Sequence, residues 1–301
     1  MRENWKFSEL EYVRPDFDKV KENLKSYIKK GREADSFTAA LSAYTESENE
    51  INHLMMMYTL VYIRHTLDTS DKFYEEEHEV FNAQFPTFGP ISVESGEALN
   101  ESKYRADFET KFGKQFFASI ELEKKRFSEK NIPLLQEEAK LTSEYQKMMA
   151  SCKIKFDGKE LNLYGIQKYF EHEDREIRKA AYKAYSDFYH SNEKRLEEIW
   201  DELIKLRNEM GRNLGFENFI PLGYLRQGRT DYGVKEVESF RKQVEDYLVP
   251  LCMELYGAQA KRIGVDTLYS YDEKMTFADG NAVPAGDDDF MMEEARKMYH
   301  E

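Results

Sequence analysis

The sequence predicts a mainly α fold with one small β-hairpin near residues 152–163. Apolar residues recur every three to four positions over most of the 301 residues, the spacing of a helix with one buried face. The breaks between these runs are short and marked by Pro, Gly or Asp and Ser, as in chains of packed helices. Period-two alternation occurs in one stretch, centred on Asp157-Gly158.

Phe17, Val20, Leu24 and Ile28 define a helix from Asp16 to Lys30. Ser36 is placed to cap a long second helix whose stripe is Phe37, Leu41, Tyr44, Ile51, Leu54, Met55, Tyr58 and Tyr62. Asp68, Thr69 and Ser70 form the next turn. A helix is expected from Ser70 to about Phe85, stopped by Pro86 and paired antiparallel with its predecessor across that short connection. A looser helical stretch runs to Phe127. Pro133 suits the first turn of a helix that continues to about Ala150.

From Cys152 to Leu163 the pattern alternates on both sides of Asp157-Gly158. Both central residues of a type I′ turn need positive φ, which Asp-Gly supplies. Ile154 and Phe156 are expected on one face, Leu161 and Leu163 on another. Helical spacing returns from Asp174 to Met210, with Gly211 and Gly215 as the expected cap and turn. A helix from Val234 to about Arg262 ends at Gly264. A glycine- and acid-rich loop covers 279–286, and a last helix begins near Asp287. Its apolar side carries Phe290, Met291, Ala295, Met298 and Tyr299, and the sequence stops inside this pattern at His300-Glu301 without a cap. The expectation is that the polypeptide continues, and that the last helix exposes an apolar patch for the continuing chain to cover. The expected division is 1–110 as an N-terminal helical region, 111–173 as a subdomain with the hairpin, and 174–301 as the start of a further helical domain.

Charge narrows the function classes. Fifty-eight acids against 44 bases give a net charge of −14, which opposes nucleic acid and anionic membrane as partners. The N-terminus has no apolar leader-like core, and the longest apolar run, about Leu54 to Ile63, is half of what a membrane span needs. Two cysteines, Cys152 and Cys252, cannot build a disulfide framework, so a reducing, cytoplasmic setting is expected.

A water-activating zinc site of the His-Glu-x-x-His type needs two imidazoles one helical turn apart around an acid. None of the six histidines satisfies this. His78-Glu79 is followed at the second position by Asn82, and reads as a solvated helix face. His172-Glu173 is followed there by Glu176. His53 and His65 read as core or edge residues, and His190 has no acid at ligand spacing. His300-Glu301 opens no complete motif. No Gly-x-Ser-x-Gly and no phosphate-binding glycine loop is present.

The segment from Gly211 to Tyr232 carries Asn213-Leu214 between Gly211 and Gly215, then Tyr224, and then Arg226-x-x-Arg229-x-Asp231-Tyr232. It resembles the M3 metallopeptidases of the oligoendopeptidase F type. Phe240-Arg241, Val249-Pro250-Leu251, Gln259-Ala260, Tyr271-Asp272 and the upstream run Ile177 to Tyr182 are similar in order and spacing. The resemblance implies an incomplete zincin-like helical shell with 1–110 as its lid and 174–301 as the start of its catalytic domain, zinc as cofactor of the complete enzyme, and short peptides as substrates in an enclosed channel. It implies no catalytic residue and no metal ligand within these 301 residues, so the chain as given is expected to be inactive and to bind no zinc. Arg226, Arg229 and Tyr232 are the candidate substrate-binding residues, since two guanidiniums beside a phenol suit a peptide carboxylate or carbonyls. A structural ion pair or a loop-pinning role is the alternative for the same residues. The other function class is a helical binding or scaffold protein that keeps a peptidase-like shell without chemistry.

Overall fold

The computed structural model describes residues 9–283 and 285–300. Asp16 caps α1 (Phe17–Glu33) by accepting from the Lys19 amide at 3.0 Å. Ser36 caps α2 (Phe37–Leu67) in the same way through the Ala39 amide. α3 (Lys72–Gln84) begins two residues later than expected, because Asp71 is the cap and takes the Phe73 and Tyr74 amides. Pro86 ends α3 but does not end the helical path. It opens a 3₁₀ turn over Phe85–Phe88 that leads directly into α4 (Gly89–Asn100).

The looser stretch resolves into α4, α5 (Arg105–Phe112) and α6 (Lys114–Arg126), and α7 spans Ile132–Ala150. The hairpin pairs β1 (Ile154–Phe156) with β2 (Lys159–Leu161) antiparallel. Asp157 and Gly158 have φ of 51° and 70°, the positive values the turn requires. The register sets Leu161 opposite Ile154, so these two share a face instead of lying on opposite ones. Leu163 already belongs to α8 (Leu163–Gln167), which Asn162 caps.

α9 is a single helix from Arg175 to Asn213. Gly211, expected as its cap, lies inside it, and Gly215 with φ of 83° makes the turn. α10 (Phe219–Arg226) follows. α11 (Val234–Gln243) passes through a π-helical turn at Val244–Leu248 into α12 (Val249–Arg262), which stops at Gly264. α13 covers Asp288–His300.

The chain divides into two units, Met1–Ala150 with Arg195–Lys235, and Ser151–Lys194 with Glu236–Glu301. In the first, Phe17, Leu54, Leu60, Val61 and Phe81 form a core between α1, α2 and α3. Phe108 and Phe117 pack with Ala34 and Ala40 in a second cluster. In the second unit, Cys152, Ile154, Ile166, Phe170 and Ala181 hold the hairpin against α8 and the first turns of α9. Cys152 is buried there and burial pushes its thiol up, whereas Cys252 is exposed. Among the described residues, no helix is long and apolar enough to cross a membrane.

Candidate functional site

Arg226 ends α10, whose start is fixed by Asn218 and by the Asn208 side chain, which accepts from the Phe219 amide at 3.0 Å. This geometry delivers Arg226 to Glu138 of α7. The guanidinium donates to one carboxylate oxygen at 3.1 Å, and its other terminal nitrogen lies 2.9 Å from the second oxygen as an ion pair. Arg207 of α9 donates to the same carboxylate at 2.7 Å. Both guanidiniums also lie over the Phe219 ring, 5.7 Å from its centroid. Glu138 is buried. Burial alone would raise its pKa, but hydrogen bonds from Arg226 and Arg207 outweigh that and hold it below the usual carboxylate value.

Arg229 sits differently. Its guanidinium is 4.3 Å from the Tyr224 ring centroid and 5.3 Å from that of Tyr232. No carboxylate pairs with it among the described residues. The Tyr232 ring is half exposed. The structure therefore brings Arg229 and Tyr232 together, while the contacts of Arg226 are with Glu138 and Phe219. Arg226 also lines a cavity of about 330 Å³ with Phe85, Asn131, Met210 and Leu222.

The histidines sort by environment. His78, expected on a solvated face, is buried and stacks on His65 at 4.4 Å with the rings 11° from parallel. The reason is that α3 packs on α2 with its His78 and Phe81 side inward. Burial, and then the neighbouring His65, push His78 down to about 4. Asn82 stands 3.4 Å from His78 Nδ1. His65 meets Glu75 at 2.6 Å, and Lys147 pairs with the same Glu75. His53 and His190 are exposed. His300 is described, but Glu301 lies outside the described residues.

Zinc is the metal the resemblance implies, and the donor chemistry does not fit it. Among the described residues no three His, Cys, Asp or Glu side chains are grouped so as to hold a metal ion. The two closest imidazoles stack face to face, which points their nitrogens away from a common ion.

Sequence reasoning missed what two of the family-like motifs do for each other. Arg178, in the run from Ile177 to Tyr182, donates to Asp272 of the Tyr271-Asp272 pair at 2.9 Å. Arg175 donates to the same carboxylate at 2.7 Å, and the Tyr269 amide at 3.1 Å. Asp272 is fully buried. Burial would raise its pKa, but these hydrogen bonds hold it below its ordinary value. Gln259 donates to the carbonyls of Glu273 and Met275, fastening the same loop to α12. The available signal was an Arg in one of these motifs and an Asp in the other, 94 residues apart, whose opposite charges invite pairing.

The comparisons with known proteins agree with this architecture. Residues 7–127 match the Peptidase M3 N-terminal domain, and residues 168–281 match Peptidase family M3. Among solved structures, a candidate oligoendopeptidase F superimposes with a TM-score of 0.96 at 38% identity, over 99% of this chain and 53% of that one. PZ peptidase A, solved with an inhibitor, gives 0.95 at 40% identity, over 98% and 52%. A candidate oligoendopeptidase F from Bacillus anthracis str. Ames gives 0.94 at 38%, over 97% and 54%. The comparison with curated proteins found no match. The chain thus spans about half the length of the solved structures it matches. Two family matches in chain order, joined by a superposition that runs through both, make this chain a member of peptidase family M3.

Proposed function

We propose that these 301 residues form the N-terminal part of a zinc-dependent oligoendopeptidase that hydrolyses short peptides in an enclosed channel, and that this part alone is inactive. The observation that carries the reading is the match over 99% of this chain to only 53% of a solved relative. Exposed apolar side chains support it. Met298 and Tyr299 on α13 are 77% and 92% exposed, and Leu251 and Leu255 on α12 are half exposed, which is what a face covered by further polypeptide looks like.

In this reading the described residues supply wall, not chemistry. Zinc, when bound in the complete enzyme, would supply a Lewis acid and an activated water. Its ligands would come from outside these 301 residues. Arg229 is the better substrate-binding residue of the two arginines, because its charge has no carboxylate partner among the described residues. It would hold a peptide carbonyl or carboxylate while Tyr224 and Tyr232 fix its plane. Arg226 would act indirectly by fixing α10. The scaffold alternative has no observation of its own in its favour. The cytoplasm is the proposed location.

Internally quenched short peptides provide the test. A polypeptide extended to the length of the solved relatives is expected to cleave them and to spare folded proteins, and the 301-residue chain is expected to leave them intact. An extended polypeptide that binds zinc yet cleaves no peptide would overturn the reading.

A further inference from the structure

The α2 stripe predicted from sequence contains one interruption. Between Tyr44 and Ile51, where the spacing calls for an apolar residue, stands Glu48. In the structure Tyr44 packs on Phe116, but the Glu48 and Ile51 side of α2 beyond it faces open space. It lines a cavity of about 570 Å³ within the first unit, between α1, α2, α4 and α6. That volume lies in the range of sites that enclose small organic molecules, roughly 300–1,000 Å³.

Its chemistry is selective. Tyr44, Tyr58, Phe85, Phe88 and Phe116 bring aromatic rings to the wall, and Leu24, Ile28 and Leu54 bring aliphatic carbon. Tyr58 and Phe85 pack edge to face at 4.8 Å, and Tyr44 and Phe116 at 5.8 Å, so the rings hold one another in place. Two carboxylates reach the cavity. Glu123 is already neutralised by Arg126, at 2.7 Å. Glu48 has no cationic partner among the described residues and is partly buried. Burial raises its pKa, and the neighbouring Tyr44 hydroxyl only partly offsets this. The Tyr44 hydroxyl is in turn pushed up to about 12, first by burial and then by the Glu48 charge. A desolvated carboxylate without a countercharge is costly to keep in an apolar wall.

We propose that this cavity is a binding site for an organic ammonium ion carried on an apolar body. Glu48 takes the charge, the Tyr44 and Tyr58 rings face the cation, and the aliphatic wall takes the body. An anionic ligand is rejected by Glu48, and a neutral one leaves it unpaired. The site is separate from Arg226, Arg229 and Tyr232, and stands whether or not the whole protein cleaves peptides. The ammonium can come from a free amine or from the N-terminus of a short apolar peptide.

Isothermal titration of the chain with n-hexylammonium, hexanol and hexanoate at neutral pH tests the site. Hexylammonium is expected to bind at least tenfold more tightly than hexanol, and hexanoate more weakly than either. Glu48→Gln is expected to lose about tenfold toward hexylammonium and to leave hexanol unchanged. Ser92→Trp, at an exposed position on the cavity wall, keeps Glu48 and is expected to weaken both ligands. Far-UV circular dichroism confirms that each variant is folded. Leu-Phe-amide and its N-acetyl form distinguish the sources: competition by the free form alone assigns a peptide N-terminus, and competition by neither assigns a free amine. Equal affinity for hexanol and hexylammonium, absence of hexylammonium binding, or binding unchanged in both variants would each overturn the proposal.

Discussion

Arg226 grips Glu138 through a hydrogen bond of 3.1 Å and an ion-pair contact of 2.9 Å, joining the last turn of α10 to α7. Because Arg207 holds the same buried carboxylate from α9, three helices meet on one side chain. Substituting Glu138→Ala leaves two guanidiniums without their partner. Both are about one-third exposed, so water relieves part of the cost, and the expected loss is about 2 kcal/mol. Urea unfolding measures it. Arg226→Ala should cost less, since Arg207 still neutralises Glu138.

The Asp272 cluster is drier, and its disruption should be worse. Arg178 is buried and donates to the carbonyls of His172 and Glu173 as well as to Asp272. Asp272→Ala strands that charge, at an expected cost of about 3–5 kcal/mol. The loop over 263–283, held by Asp272 and Gln259, should become the first site of limited proteolysis. Unchanged cleavage in the variant would show that the loop is held by other contacts.

Gly211 tests a close approach. A Cβ added there would meet the Asn218 carbonyl oxygen at 2.4 Å, and backbone cannot step aside as a flexible side chain can. Gly211→Ala is expected to destabilise by about 1–3 kcal/mol despite the higher helix propensity of Ala. Gly215→Ala meets no atom, and its cost is the positive φ alone, about 1 kcal/mol. Thermal unfolding should rank the two in that order.

His78 gives a pH dependence of definite sign. Its folded pKa, about 4, lies below the ordinary 6.5, so the unfolded chain binds the extra proton between those values. Its contribution is complete above pH 6.5 and is lost as pH falls toward 4. His65 and Tyr62 lie against it, and His65 in turn meets Glu75 and is kept from protonation by burial and then by Lys147. Between pH 7 and 5 the chain should lose about 2 kcal/mol more than His78→Gln does. Parallel pH profiles would show that the imidazole is protonated in the fold. Glu138 and Asp272, held low, act further down the scale: their contribution is present above the ordinary carboxylate pKa and lost as pH falls through the folded one.

Local chemistry made much of the fold legible. Ser36, Asp157-Gly158, Pro133 and Gly264 each act where a cap, a turn or a stop needs that residue type. Pro86 stops α3 as its missing N–H requires, but the same proline also fits the first turn of a 3₁₀ segment, so the path goes on into α4. Gly211 misled because a glycine required by a neighbour 2.4 Å away reads in sequence like a cap. His78 misled because three acids precede it on α3, yet Glu75 and Glu77 turn inward to Lys147 and to Arg14 and Tyr12. The candidate site was legible only in part. Arg229 and Tyr232 meet as their spacing allows, but the claim of Glu138 on Arg226 spans 88 residues and leaves no local trace.

The zinc content of the purified 301-residue chain, measured by elemental analysis after equilibration with equimolar zinc and gel filtration, bears on the central claim most directly. With no paired imidazoles at ligand spacing and no metal-holding cluster among the described residues, the account predicts well under one zinc per chain and no peptide turnover. One tightly held zinc per chain, together with cleavage of a quenched peptide that a chelator abolishes, would contradict it.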